Sequence, residues 1–465
     1  MKIFNTLTRE KQEFVPIEPG KVKIYACGPT VYNYIHIGNA RPLCVFDVLR
    51  RYLEYRGYEV TFVQNFTDID DKIIKRAIEE GTDYKTVSEK YIEEFWKDAK
   101  GLNFRPADIH PKATENIDKI IEIISGLIEK GHAYEINGDV YFSPSTFPQY
   151  GKLSHQPLEE LEAGARIMVG DVKKDPMDFA LWKAAKPGEP YWDSPWGHGR
   201  PGWHIECSAM NIRYLGENID IHCGGLDLIF PHHENEIAQS ECFTGKPFAN
   251  YWMHNGYINV DNVKMSKSLG NFFTVRDVAE KYGYEPIRYL LISSSYRSPI
   301  NYSVKIIEQC KASLTRLYTC RDGLDFELKN AQSGEKDGSV CEKLDSRVEQ
   351  FNTAMDDDLN TADGLAAVFE LVRDINTLVI GKNTSSETVE YAIKIFDTLT
   401  GVLGLVYERK SEDSDEEIDA LIEARTRARK DKNWAEADRI RDELKAKGII
   451  IEDTPLGVKW HRAEG

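Results

Sequence analysis

Two short segments of the chain carry residue types suited to binding a nucleotide. They are the IHIGN segment at Ile35–Asn39 and the KMSKS segment at Lys264–Ser268. Free N–H groups and the positive dipole end at a helix N-terminus attract phosphate, and paired lysine ammonium groups neutralise a triphosphate. A plain helix cap and a solvated turn are the alternatives for each segment alone. Their co-occurrence predicts one ATP site for nucleotidyl transfer, formed by His36, Gly38, Asn39, Lys264 and Lys267.

The elements around these segments indicate how they are positioned. An apolar strand at 22–28 precedes the first segment, a helix with apolar residues at helical spacing follows it up to Gly57, and a second strand follows at 58–64. This succession predicts a crossover onto a parallel sheet, with the helix N-terminus beside the carboxyl ends of the strands. The alternating stretch at 257–263 predicts an Asp-Asn turn that places both lysines on a mobile loop.

A second set of residues has the chemistry of a metal site. His232 and Glu236 lie four residues apart in a segment with helical character, so both project from one face. Cys27 ends the first strand, and Cys207 precedes the second half of the chain. Thiolates, an imidazole and a carboxylate suit zinc. Inert buried cysteines and a solvated helix face remain the alternative on these residues alone.

Several longer segments resemble the cysteinyl-tRNA synthetases, a family of class I aminoacyl-tRNA synthetases. The resemblance spans nearly the whole chain and rests on the two nucleotide segments and on residues 25–32, 65–75, 178–183, 199–210, 230–240, 433–444 and 453–457. It implies that ATP, as its Mg²⁺ complex, activates L-cysteine to cysteinyl-adenylate. Transfer of the cysteinyl group to the 3′ end of tRNA(Cys) would then follow.

The resemblance also implies roles for individual residues. The implied catalytic residues are His36, Asn39, Lys264 and Lys267. The implied ligands of one zinc ion per chain are Cys27, Cys207, His232 and Glu236, with His204, Cys223 and His233 as the nearest competitors. A zinc ion that stabilises the substrate thiolate would select cysteine over serine without an editing site. The residues implied to border the amino acid are Thr67, Trp203 and Asp227. Without the resemblance, Trp203 would be interpreted as a core residue.

The chain departs from the family pattern at two positions. The first signature in its commonest form ends in histidine, and here Asn39 stands in its place. Asparagine keeps a neutral donor, so we expect activity to persist. Cys223 interrupts the family's frequent glycine run, which predicts a spare thiol near the metal site. Lys72 and Lys75 are interpreted as part of a helix face.

Composition agrees with a multidomain enzyme of the cytoplasm. The chain has 465 residues and a net charge of −17, and no apolar stretch is long enough to span a membrane. Its eight cysteines are scattered without a compact framework, which favours a reducing compartment. The basic segment at 425–432, with Arg439, Arg441, Lys445 and Lys447, predicts a tRNA contact despite the overall acidity. We expect a monomer without a membrane partner.

The predicted fold class is α/β, with a Rossmann-like parallel-sheet core that contains an insertion. An α-helical bundle and a small C-terminal domain follow. The expected boundaries are 1–125 and 201–255 for the catalytic core, 126–200 for a connective insertion that includes a hairpin at 131–142, 256–303 for the lysine-loop region, 304–407 for a tRNA-binding bundle, 408–420 for an acidic linker, and 421–465 for an anticodon-binding domain.

Two other functions remain to be distinguished. An ATP-dependent ligase of the same ancestry that joins cysteine to an amino-sugar would need no anticodon-binding unit, and residues 421–465 argue against it. A non-catalytic RNA-binding or zinc-binding relative would have lost a lysine of the second segment or a metal ligand. All of these residues are present.

Overall fold

A computed structural model of the protein describes most of the chain, including all of the first nucleotide segment. The described residues are 1–155, 173–264, 272–409, 416–454 and 457–462. The predicted mobile loop after Lys264 and most of the acidic linker therefore lie outside the described residues. In the part of the chain that is described, no helix combines the length and the apolar character needed to cross a membrane.

Fifteen strands in the described ranges form five sheets. The strands are β1 (Lys2–Asn5), β2 (Glu10–Glu13), β3 (Lys21–Ala26), β4 (Glu59–Gln64), β5 (Ala133–Ile136), β6 (Asp139–Phe142), β7 (Phe179–Ala184), β8 (Gly199–Pro201), β9 (Ile219–Gly225), β10 (Ala249–Asn255), β11 (Ile258–Val260), β12 (Val263–Lys264), β13 (Ile300–Tyr302), β14 (Ile449–Thr454) and β15 (Gly457–Arg462).

The α-helices are distributed along the whole described chain. They are α1 (Ile37–Tyr55), α2 (Asp71–Glu80), α3 (Tyr84–Gly101), α4 (Ile117–Glu129), α5 (Trp203–Leu215), α6 (Glu234–Thr244), α7 (Val275–Tyr282), α8 (Tyr284–Ile292), α9 (Val304–Asn330), α10 (Gly338–Asp356), α11 (Thr361–Leu378), α12 (Ser386–Leu403), α13 (Glu416–Lys430) and α14 (Trp434–Ala446).

The central sheet contains four parallel strands in the order β10, β9, β3, β4. Helix α1 connects β3 to β4, which confirms the predicted strand, helix and strand. The buried residues of β3 are apolar and those of α1 are apolar apart from Arg41 and Asp47, and the parallel register aligns Ile24 with Phe62 and with Ile221. All four strands therefore end at one edge, where the loops after them meet.

An antiparallel sheet of β5 to β8 lies between the two halves of the central sheet along the chain. The predicted hairpin is confirmed: β5 and β6 are joined by Asn137 and Gly138, which both have positive φ (55° and 87°) as a tight two-residue turn requires. Trp182 of β7 is fully buried against a cluster from α4, α5 and α6 that includes Ile123, Ile205 and Ala238.

The chain divides into two compact units. The first comprises Met1–Ala312, Asn352–Leu365 and Val402–Leu405. It contains the central sheet and the sheet of β5 to β8. Within it, the buried Arg288 donates to Asp47 at 2.7 Å and to the carbonyl oxygens of Leu102 and Leu403, so that one guanidinium ties three segments together.

The second unit comprises Ser313–Phe351, Ala366–Gly401 and Val406–Gly465. The helices predicted for this part of the chain are confirmed, with small shifts at their ends. Within the predicted bundle over 304–407, α9 ends at Asn330 and α11 ends at Leu378. At the end of this unit, α13, α14 and β14 share a small apolar cluster that includes Ile418, Ile440, Leu444 and Ile449.

Candidate active site

A pocket of about 440 Å³ opens at the carboxyl edge of the central sheet. Its wall is formed by the residues that follow β3, β9 and β10, by the N-terminus of α1 and by the start of α5. It brings together six residues predicted from the sequence, which are Cys27, His36, Gly38, Asn39, Trp203 and Asp227. The predicted juxtaposition of a helix N-terminus with the strand ends is therefore present.

The close approach of two strand ends shapes this wall. Gly28 lies so near the backbone of Asn65 that a Cβ at this position would be 1.6 Å from the Asn65 carbonyl oxygen. The Gly28 N–H donates to Asn65 Oδ1 at 2.9 Å. Thr67 does not line the pocket. It is buried behind it, where its backbone pairs with the segment at 29–31, so its contacts support the wall.

The N-terminus of α1 is closed by a reciprocal capping box. The Asn39 N–H donates to His36 Nδ1 at 3.2 Å, and the His36 N–H donates to Asn39 Oδ1 at 3.3 Å. The His36 ring also packs edge-on against Phe272, with ring centroids 5.0 Å apart. The helix-cap interpretation of this segment is thus correct. Both capping residues also face the pocket, so the cap and the ligand surface coincide.

The second nucleotide segment begins on a hairpin that starts at the pocket wall. Ile258 of β11 lines the pocket, and Asn259 pairs with Lys264 of β12 in antiparallel register. Asp261 and Asn262 form the turn with φ of 47° and 65°, which confirms the predicted Asp-Asn turn. The hairpin therefore brings Lys264 beside Asn259, the residue next to Ile258 of the pocket wall. Lys267 lies outside the described residues.

The four predicted metal ligands converge beside the pocket. The ligand atoms of Cys27, Cys207, His232 and Glu236 all lie within 4.8 Å of one another. His232 Nε2 is 3.0 Å from Glu236 Oε1, and the two sulfur atoms are 3.9 Å apart. Only Cys27 has partial exposure, and it is also the one that lines the pocket. Two thiols, an imidazole and a carboxylate in this arrangement are a donor set that fits zinc.

The sequence placed His232 and Glu236 on one helical face, and the backbone differs in detail. Phe230 has an extended conformation (φ −134°, ψ 134°) and precedes a cis bond to Pro231. Helix α6 begins at Glu234, and His232 lies in a π-helical turn that runs directly into it. Only Phe230 departs from helical dihedrals in that turn, and the His232 imidazole still faces the Glu236 carboxylate four residues later.

Burial and charge set unusual protonation tendencies in this cluster. A hydrogen bond from Cys27 lowers the pKa of Cys207 to about 6, while burial raises the pKa of Cys27 well above its usual range. Burial opposes ionisation of Glu236, but His222 and His232 lower its pKa well below the ordinary value. Burial likewise opposes the charging of His232, but Glu236 and Cys207 raise its pKa to about 10. The cluster thus favours a thiolate and a carboxylate.

A second ligand set overlaps the first and includes a residue that the sequence did not single out. Cys27 and Glu236 also lie within 4.8 Å of His222 and His233. His233 Nε2 is 3.2 Å from Cys27 Sγ, and His222 Nε2 is 2.9 Å from Glu236 Oε2. His222 pairs with Tyr25, two residues before Cys27, and this register between β9 and β3 is not specified by spacing in the sequence.

Of the three predicted competitors, only His233 belongs to a cluster in the described ranges. Cys223 is buried in β9, and the Cys223 carbonyl oxygen accepts the Cys27 N–H at 3.2 Å. Its thiol belongs to neither cluster, and burial raises the pKa of that thiol well above its ordinary value. His204 also belongs to neither, although it contacts His232.

Two of the residues expected to border the amino acid face the pocket. Trp203 is 39% exposed and stacks on the His232 ring, with centroids 4.3 Å apart and planes 23° from parallel. The alternative that Trp203 is a core residue is therefore wrong. Asp227 is exposed on the short turn after β9. Its carboxylate lies over Gly225, where a Cβ would be 2.4 Å from Asp227 Oδ1.

Three family models match this chain and together cover most of it. Residues 13–312 match the class I (C) catalytic domain of tRNA synthetases. Residues 350–408 match the DALR domain, and residues 411–460 match the cysteinyl-tRNA ligase anticodon binding domain.

Curated relatives extend the similarity to the full length. The chain is 57% identical to the cysteine–tRNA ligase of Clostridioides difficile (strain 630), over 99% of this chain and 100% of that protein. It is 56% identical to the cysteine–tRNA ligase of Anoxybacillus flavithermus, over 99% of each.

Solved structures share the fold at low identity. The methionyl-tRNA synthetase of Mycobacterium tuberculosis, solved with methionyl-adenylate, superposes with a TM-score of 0.60 at 16% identity and covers 82% of this chain and 89% of its own. The LeuRS–tRNA–LeuAMS ternary complex of Agrobacterium radiobacter K84 gives 0.60 at 11% identity, over 84% and 85%.

Proposed function

The chain belongs to the cysteine–tRNA ligases, which are class I aminoacyl-tRNA synthetases, and from this premise we propose how its residues divide the reaction. The enzyme uses ATP to activate L-cysteine and transfers the cysteinyl group to tRNA(Cys). The amino-sugar ligase is not supported, because the chain matches an anticodon-binding domain and full-length cysteine–tRNA ligases. The observation that carries the proposed division is a single pocket whose wall includes both the α1 N-terminus and Cys27 of the soft-ligand cluster.

The N-terminus of α1 and the hairpin of β11 and β12 provide the residues that bind the phosphates of ATP. His36, Gly38 and Asn39 line the pocket where the helix dipole favours negative charge. Lys264 ends the hairpin that begins at the pocket wall, and Lys267 follows it in the sequence. Both lysines add positive charge as the α-phosphate is attacked. ATP enters as its Mg²⁺ complex. These five residues stabilise charge in the transition state and perform no covalent step.

The cluster of Cys27, Cys207, His232 and Glu236 holds one zinc ion per chain. The fit is supported by the donor set and by the convergence of its four ligand atoms within 4.8 Å of one another. When bound, zinc stabilises the thiolate of a cysteine side chain far better than it binds a serine hydroxyl. Cys27 lines the pocket, so the chain presents this site directly to the substrate.

Three further residues orient the amino acid. Trp203 forms the apolar wall beside His232, and Asp227 offers an exposed carboxylate for the substrate ammonium group. Thr67 acts from behind the wall, through the backbone pairing that fixes the segment at 29–31. Together these contacts place the substrate carboxylate toward α1 and its side chain toward the soft-ligand cluster.

The remaining parts of the chain bind tRNA. We assign 304–407 to the tRNA body and 421–465 to the anticodon, with 126–200 as the connective insertion and 408–420 as the linker. The DALR match and the anticodon-domain match support this division. Arg427 and Lys430 are exposed in the last turns of α13 and Lys432 is exposed just after it, whereas Arg425 is buried and does not belong to the contact surface.

The enzyme acts as a monomer in the cytoplasm. Its eight cysteines are all free thiols, which suits a reducing compartment. The pocket supports a monomer, because a single chain supplies the residues both at its phosphate end and at its cysteine-binding end.

The proposed site is tested by comparing two cysteine variants of the purified enzyme. Cys207→Ser should lose most of its zinc and should lower cysteine-dependent pyrophosphate exchange by more than about 100-fold, since even an outer contact of a metal site is worth 10- to 100-fold. Cys223→Ser is the matched control and should keep both. Charging of tRNA(Cys) is measured in parallel. Zinc retained by Cys207→Ser, or lost by Cys223→Ser, would show that the ligands are wrongly assigned.

A further inference from the structure

His204 places a second imidazole against the ligand His232. The two Nδ1 atoms are 2.9 Å apart, while His232 directs its other ring nitrogen, Nε2, toward Glu236 Oε1 at 3.0 Å. His204 itself belongs to neither ligand cluster in the described ranges and does not line the pocket. A contact of 2.9 Å between ring nitrogens is a hydrogen bond, so one ring donates and the other accepts.

The direction of this bond follows from ligand chemistry. A neutral imidazole that offers the lone pair of Nε2 to a metal carries its hydrogen on Nδ1. His232 is then the donor, and His204 Nδ1 is the acceptor. The partner that accepts this hydrogen fixes the tautomer and the orientation of a metal-binding histidine and makes it a better ligand.

From this contact we infer that His204 is a positioning residue for the metal site, acting through His232 by accepting its Nδ1 hydrogen. The inference rests on the proposed zinc site and adds a residue to it. Its role differs from that of the neighbouring Trp203, which stacks on the His232 face and restricts its tilt. The hydrogen bond restricts the remaining freedom, which is rotation of the ring within its own plane.

His204 is itself fixed well enough to serve this purpose. It lies in the first turn of α5, one turn before the ligand Cys207. Its carbonyl oxygen accepts from Gln239 Nε2 at 2.9 Å, which joins α5 to α6, the helix that carries Glu236. Its ring packs edge-on against Phe179, with centroids 5.6 Å apart. The acceptor is therefore held relative to two of the ligands.

The test compares variants that differ in the acceptor atom. His204→Asn keeps an acceptor at the δ position and should bind zinc within about 3-fold of the intact enzyme, whereas His204→Phe keeps a ring but no acceptor and should bind about 10- to 100-fold more weakly. Zinc affinity is measured by competition with a chelator, and the visible spectrum of the Co²⁺-loaded protein reports ligand geometry. His204→Ala is measured alongside, because it also removes the acceptor and cannot overfill the site.

The expected result is a weakened affinity and an altered Co²⁺ spectrum in the Phe and Ala variants, with both restored in His204→Asn. Equal weakening in the Asn and Phe variants would show a packing role and would overturn the inference, as would unchanged affinity in Phe and Ala. Cys207→Ser separates the two proposals. If it loses zinc while His204→Phe does not, only the positioning role is wrong; if it keeps zinc, the site and the positioning role are both wrong.

Discussion

The two ends of the pocket are built differently. At the end that Cys27 lines, the other three ligand side chains, Cys207, His232 and Glu236, are buried behind it, with His232 3.0 Å from Glu236 and Cys207 3.9 Å from Cys27. At the end formed by His36 and Asn39, the side chains are partly exposed and are held by a capping box, and Lys264 lies on a separate hairpin. On the proposed division, selection of the amino acid relies on a fixed cluster, and stabilisation of the phosphates relies on charges brought in from outside the sheet.

The largest effect is expected where charge is supplied at the phosphate end. Lys267→Ala should lower the rate of adenylate formation by about 100- to 1,000-fold, the usual cost of removing one group that stabilises transition-state charge. The dissociation constant for cysteine should stay nearly unchanged, because the soft-ligand cluster is intact. Lys267→Arg is the matched control and should retain more activity. Weaker cysteine binding with unchanged turnover would show that the two ends do not divide the work.

A smaller effect is expected when the C-terminal part of the chain, which lines neither end of the pocket, is removed. A chain that stops at Arg409 should retain cysteine-dependent pyrophosphate exchange, since no residue of the pocket or of the ligand clusters lies beyond it. Transfer to tRNA should weaken by about 10-fold, with a shallower dependence on salt, because phosphate contacts are lost. A full-length chain with Arg427, Lys430 and Lys432 changed to Gln should reproduce the change in salt dependence. Unaltered charging by both variants at every salt concentration would exclude a role in binding tRNA.

The smallest effect concerns the capping box at the phosphate end. Asn39→Ala removes half of the box and should cost about 1 kcal/mol of stability or less, measured as a small fall in Tm by calorimetry. Asp277→Ala removes the equivalent half of the box at Thr274 and should cost a similar amount. Only Asn39→Ala should also slow adenylate formation, because Asn39 lines the pocket and Asp277 does not. Equal rates of adenylate formation in the two variants would show that Asn39 acts only as a helix cap.

The sequence predicted the individual strands, helices and hairpins more fully than the contacts between them in the fold. The strand, helix and strand at 21–64 follow from spacing and from turn residues, and so do the hairpins at 133–142 and 258–264. The proximity of Cys27 to Cys207 depends on the order of strands in the sheet, which spacing does not specify, and it came only with the family resemblance. His222 was missed for the same reason, because it reaches the cluster across strands.

Two local features also escaped the sequence. The break in helical backbone at Phe230 was not predicted, since the alternative, a continuous helix, gives the same spacing of His232 and Glu236. The exposure of Trp203 could not be inferred from its residue type, because tryptophan is common both in cores and at binding surfaces.

Removal of the metal tests most directly the claim that the buried end selects cysteine. Pyrophosphate exchange with cysteine and with serine is measured before and after chelation and again after zinc is restored, while circular dichroism confirms that the fold persists. We predict that chelation weakens cysteine binding far more than ATP binding and narrows the gap between cysteine and serine, because pocket shape alone separates such similar side chains by only about 1–3 kcal/mol. A preference for cysteine that survives complete loss of the metal would contradict this claim.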